Sequence, residues 1–149
     1  MKAYTFELPD QDGTIHKLSD YSGKWVIVYF YPKDDTPGCT KEACNFRDNI
    51  GEYTKRNVTV IGISKDSVAS HKKFADKFGL PFTLLADPDK KVIKLYNTWQ
   101  LKKFMGREYM GIIRSSFLID KKGKIQKIYE TVKPQAHAQE VISDLKTYK

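Results

Sequence analysis

Trp25-Val26-Ile27-Val28-Tyr29-Phe30-Tyr31 is a continuous apolar run of β-branched and aromatic residues, bounded by Gly23-Lys24 and Pro32. Apolar on both faces and too short for a buried helix, it reads as a central strand covered on both sides. Thr36-Pro37 follows within a few residues. Threonine suits a helix cap, and proline suits the first helical position, where its missing N–H is not needed. Ala43, Phe46, Ile50 and Tyr53 then recur at helical spacing and predict one buried face. A strand followed at once by a helix starts an α/β reading.

On the N-terminal side, Asp12-Gly13 separates Tyr4–Leu8 from Ile15–Leu18 and predicts a small hairpin. On the C-terminal side, Val58–Ile63 is a second buried strand. Ser67–Phe78 is a helix ended by Gly79. Phe82–Leu85 is a third strand, and Asp87-Pro88 opens a short helix through Val92, Leu95 and Tyr96. Thr98–Ile112 reads as irregular, with Trp99, Phe104, Met105 and Tyr109 available as an apolar rim. Ser116–Ile119 and Ile125–Tyr129 flank the turn Asp120-Lys121-Lys122-Gly123. A last helix runs from about Gln135 to Lys146. The order predicts an α/β fold with a central mixed sheet flanked by helices. The chain of 149 residues fits one domain, residues 1–149.

The charge balance is +8, from 26 basic and 18 acidic side chains. The lysines are spread along the chain, and the pairs Lys72-Lys73, Lys90-Lys91, Lys102-Lys103 and Lys121-Lys122 fall on different elements. A solvated basic surface is expected, not a nucleic-acid partner. No apolar run reaches the length of a membrane span, and none at the start resembles a secretion signal. A cytoplasmic protein without a membrane partner is the expectation.

Cys39 and Cys44 are the only cysteines. Free cysteines more often pack as small inert hydrophobes. Here Cys39 falls at the third position of the helix opened by Thr36. Backbone N–H groups there lack intrahelical partners, and the helix dipole places partial positive charge at that end. Both favour a thiolate nucleophile at Cys39. Gly38 removes a side chain beside the sulfur, which would let a small substrate approach. Five residues along a helix rise about 7.5 Å and set the Cα atoms about 8–9 Å apart. A disulfide requires roughly 4.4–6.8 Å. If Cys39 and Cys44 pair, the first helical turns must unwind. No metal is expected, since two sulfurs leave two ligands to find and His16, His71 and His137 are scattered. His71 reads as a satisfied core-edge histidine. A thioredoxin-type dithiol would have two intervening residues, and this pair has four.

The stretch from Tyr29 to Cys44, YFYPKDDTPGCTKEAC, resembles the active-site segment of peroxiredoxins. Pro32, Thr36 and Cys39 match the family pattern Pro-x3-Thr-x2-Cys. The second cysteine at plus five is similar to the Q-type, or bacterioferritin comigratory protein, subfamily. Arg114-Ser115-Ser116-Phe117-Leu118-Ile119-Asp120 resembles the segment that carries the family's active-site arginine. The resemblance implies a thioredoxin-like fold and reduction of hydroperoxides without a cofactor. It implies Cys39 as peroxidatic and Cys44 as resolving cysteine, with a thioredoxin-like dithiol as reductant. Thr36 and Arg114 would position the peroxide, and Pro32 would wall the site. Resolution inside one chain needs no dimer, so a monomer is expected. Arg47 and Arg107 are rival arginines on sequence alone, and Glu42 reads as a surface residue near the helix start.

Two other functions are open to these residues. A thiol-disulfide oxidoreductase would act on protein disulfides, which the four-residue gap disfavours. A non-enzymatic binding module would rest on the charge alone.

Overall fold

The computed structural model describes residues 1–148. Trp25–Phe30 forms β3, the central strand, and every residue in it is buried. It pairs in parallel with β4 (Val58–Ser64) and antiparallel with β8 (Ser115–Ile119). β5 (Thr83–Ala86) lies outside β4 in parallel, and β9 (Ile125–Tyr129) lies outside β8 antiparallel. The sheet order is β5-β4-β3-β8-β9. This is the mixed sheet expected of a thioredoxin-like chain.

The period of two along β3 divides the core. Trp25, Ile27, Tyr29 and Tyr31 face one side, with Phe46 and Ala43 of α1 (Pro37–Asp48), Phe74 of α3 (Val68–Phe78) and Val141 of α5 (His137–Tyr148). Val26, Val28 and Phe30 face the other, with Phe6, Leu8, Phe117 and Val92 and Ile93 of α4 (Lys91–Leu95). The N-terminal hairpin joins β1 (Glu7–Pro9) and β2 (Ile15–Lys17) in antiparallel register. No helix among the described residues is long and apolar enough to cross a membrane.

Three readings change. The helix expected to continue to Tyr53 breaks at Asn49, where α1 ends and α2 (Ile50–Lys55) begins. The apolar spacing survives this break, since Phe46 and Tyr53 share the same core. Thr36 sits at the N-cap with extended backbone, but its hydroxyl does not cap. It donates instead to the Lys33 carbonyl at 2.9 Å. Thr98–Ile112 is not irregular. It forms a hairpin of β6 (Trp99–Phe104) and β7 (Arg107–Ile112), closed at Met105-Gly106. Met105 (φ 50°) and Gly106 (φ 79°) both adopt left-handed backbone, as a tight two-residue hairpin turn requires.

Candidate active site

α1 begins where the loop after β3 ends, so the first helical turn lies at the edge of the central strand. Cys39 is on this turn and is 2% exposed, packed with Tyr29, Tyr31 and Ala43. Cys44 is half-buried further along the same helix, and both thiols are free. The α-helix holds them apart, as their spacing requires.

Arg114, between β7 and β8, reaches the same point. Its Nη2 donates to Cys39 Sγ at 3.4 Å, and its Nη1 donates to Glu42 Oε1 at 2.8 Å. Glu42 and Cys39 are three residues apart, hence neighbours on the helix surface, and one guanidinium spans both. Gly38 makes this possible. A Cβ built there would sit 2.9 Å from Arg114 Nη2. The space left by the missing side chain is therefore filled by the guanidinium, not kept open for substrate.

Glu42 is fully buried, which corrects its reading as a surface residue. A sequence shows no reason to bury a helix glutamate; the reason is an arginine 72 residues later in the chain. Burial pushes its carboxyl up to about 7, against the opposing pull of Arg114. Only one of its oxygens is compensated, for Oε2 is buried without a hydrogen-bond partner among the described residues. Burial depresses Arg114, but Glu42 and Cys39 beside it offset this and leave the guanidinium above its ordinary range. A positive charge is thus held against the sulfur.

Pro32 lies two residues past the end of β3 and is half-buried at the turn into the Cys39 loop. With its hydrogen committed to Lys33, the Thr36 hydroxyl retains lone pairs that can accept from an incoming O–H. The rival arginines lie elsewhere. Arg47 donates to the Phe78 carbonyl at 2.6 Å and to Asp48 at 3.0 Å. Arg107 is exposed on β7. Lys102 belongs to one of the dispersed lysine pairs, yet it is not simply solvated. It is half-buried on an otherwise exposed strand stretch, and its Nζ donates to the Ile112 carbonyl at 3.1 Å. Burial, then the positive charge of Arg114, lower its amine below the usual lysine range.

A buried sulfur on a helix start, faced by a fixed cation, is arranged for nucleophilic attack on a small electrophile. Comparisons with known proteins point the same way. The sequence model of the AhpC/TSA family matches residues 1–128. Peroxiredoxin Bcp of Bacillus subtilis is 48% identical over 145 residues, covering 97% of this chain and 92% of that protein. Peroxiredoxin Bcp of Escherichia coli is 48% identical over 143 residues, covering 96% and 92%. A cysteine-to-serine variant of PrxQ from Xylella fastidiosa superposes with a TM-score of 0.92 at 35% identity, covering 99% of this chain and 96% of that one. The bacterioferritin comigratory protein of Xanthomonas campestris, described for its alkyl peroxide reduction activity, gives 0.91 at 35% identity, covering 96% and 91%.

Proposed function

The chain belongs to the AhpC/TSA family and is a thiol peroxidase; on that premise we propose which of its residues carry the reaction and in what order. Cys39 is the peroxidatic nucleophile. Its thiolate attacks the terminal oxygen of R–O–OH, the S–O bond forms as the O–O bond breaks, and R–O⁻ leaves and takes up a proton as water or alcohol. Arg114 and the unpaired backbone N–H groups of the first turn stabilise the charge that develops on the oxygens. Thr36 accepts from the peroxide O–H, and Pro32 bounds the approach. Cys39 is left as a sulfenic acid. The first turns of α1 unwind, and Cys44 thiolate attacks the oxidised sulfur. A disulfide forms, and the departing hydroxide is protonated to water. A dithiol reductant of the thioredoxin kind then exchanges with this disulfide and restores both thiols.

The observation that carries this reading is the contact of Arg114 Nη2 with Cys39 Sγ at 3.4 Å, made between residues 75 positions apart. Hydrogen peroxide and organic hydroperoxides are the substrates, the latter in line with the alkyl peroxide activity of the Xanthomonas campestris relative. Both thiols belong to one chain, so residues 1–149 serve as a single monomeric domain. A pair that must return to dithiol in each cycle suits a reducing compartment, the cytoplasm. In a coupled assay with hydrogen peroxide and a thioredoxin system, Cys39→Ser abolishes turnover. Retention of full activity by that variant would contradict the assignment.

A further inference from the structure

Asp34 lies between Pro32 and Thr36, in the loop that brings the chain from β3 to α1. It is a charged residue with little exposure, 7%. Tyr31 donates its hydroxyl to Asp34 Oδ1 at 2.6 Å, and Ser70 donates to Oδ2 at 2.8 Å. His71 Nδ1 meets the same Oδ2 at 2.7 Å, while its Nε2 meets the Leu85 carbonyl at 2.9 Å. A carbonyl only accepts, so Nε2 carries a hydrogen. A further hydrogen lies between Nδ1 and Oδ2, 2.7 Å apart, and ties the His71 ring to the Asp34 carboxyl. The Asp34 backbone N–H donates to Asp66 Oδ2 at 2.8 Å, and Ser64 donates to the same oxygen at 2.6 Å.

A buried pair of this kind is costly to desolvate and is weak support for stability as such. The central sheet has its own hydrogen-bond ladder. What the pair holds is the loop. The next residue, Asp35, is at φ 57°, left-handed backbone that aspartate tolerates better than most residues and that turns the loop toward α1. One residue before Asp34, the Lys33 carbonyl receives the Thr36 hydroxyl. Both flanks of Asp34 are thereby fixed, and Thr36 sets where α1 and Cys39 begin. Asp34, Asp66 and His71 also bring ligand-type atoms within 4.8 Å of one another. The protein's own donors already engage both aspartates, which favours a clamp over a cation site.

We propose that the Asp34–His71 pair positions the residue 32–36 loop for attack on the peroxide. These two are positioning residues that act through Thr36 and Cys39, and the inference rests on Cys39 being the peroxidatic cysteine.

Two near-isosteric variants separate the two ring contacts. His71→Asn keeps an N–H where Nδ1 lies and so retains the bond to Asp34. His71→Gln keeps one where Nε2 lies and retains only the bond to Leu85. The reduced full chain is mixed with hydrogen peroxide, and loss of the Cys39 thiol and appearance of the disulfide are timed separately. His71→Gln slows the peroxide step about tenfold or more, the scale on which small misplacement acts. Its disulfide step stays within about twofold, as for an independent event. His71→Asn keeps both steps within about threefold of the parent. A His71→Gln protein as fast as the parent, or a His71→Asn protein as slow as His71→Gln, overturns the proposal. Equal slowing of both steps by His71→Gln does so too, since general loss of packing has that effect. Failure of the parent protein to oxidise at Cys39 is a different result, and it overturns the assignment beneath the proposal.

Discussion

The two halves of α1 are held in different ways. The first, around Cys39 and Glu42, is tied to the rest of the molecule through the Arg114 guanidinium. The second, from Cys44 to Asp48, is tied by ordinary structural bonds. Asn45 donates to Gln139 at 2.8 Å and accepts the Ala138 N–H of α5 at 2.8 Å, and Arg47 donates to the Phe78 carbonyl at the end of α3. Phe46 lies fully buried between these anchors and stacks on Tyr29, with ring centres 4.8 Å apart. In the proposed cycle this difference decides which part moves: oxidation of Cys39 changes the group that Arg114 grips and loosens the first half, while the half carrying Cys44 keeps its anchors.

The contrast breaks most visibly at Arg114. In the proposed cycle, Arg114→Ala lowers kcat/KM for hydrogen peroxide by about 10²–10³, the usual range for a lost charge-stabilising donor. Steady-state kinetics with a thioredoxin system measure this, and an unchanged value would remove the cation from the mechanism.

Glu42 gives a pH signature. Its carboxyl ionises near 7 in the folded chain against an ordinary 4.5. Through that window the folded chain keeps a proton that the unfolded chain releases. The associated stability is therefore present at low pH and lost as pH rises through 7. Thermal unfolding of Glu42→Gln, which keeps its proton-like neutrality at every pH, gains on the parent between these two pH values. Parallel Tm curves across the window would contradict the burial of a carboxyl that Arg114 compensates at only one oxygen.

The docked half gives the smallest effect. Asn45→Ala loses two hydrogen bonds and destabilises the chain by about 1–2 kcal/mol. The peroxide step is unchanged, because the Asn45 side chain makes its bonds to Gln139 and Ala138, away from Cys39. Denaturant unfolding beside stopped-flow oxidation checks both parts. A slowed peroxide step would show that the halves are not separate.

Much of this was legible in the sequence, and the failures have physical causes. The apolar run at β3 and the Thr-Pro-Gly-Cys turn place the central strand and the reactive cysteine without reference to distant residues. The β6–β7 hairpin was missed because little on either face is buried: Leu101, Met110, Phe104 and Tyr109 are all exposed, so no alternation marks it. Its Met105-Gly106 turn also lacks the asparagine or aspartate that usually signals such a bend. Glu42 and Gly38 take places that local sequence does not indicate, for one shared reason. Each is explained by Arg114, and local pattern carries no record of a partner more than seventy positions away. His71 was recognised as a satisfied histidine, but its partner Asp34 was not, since their link also crosses elements.

The central claim is that one helix carries both thiols apart and must open to join them. The reduced full chain, treated with one equivalent of hydrogen peroxide and digested without reductant, tests it most directly. Mass spectrometry is expected to find Cys39 and Cys44 of the same chain linked by a disulfide. A persistent sulfenic acid at Cys39 beside a free Cys44 thiol would contradict the account.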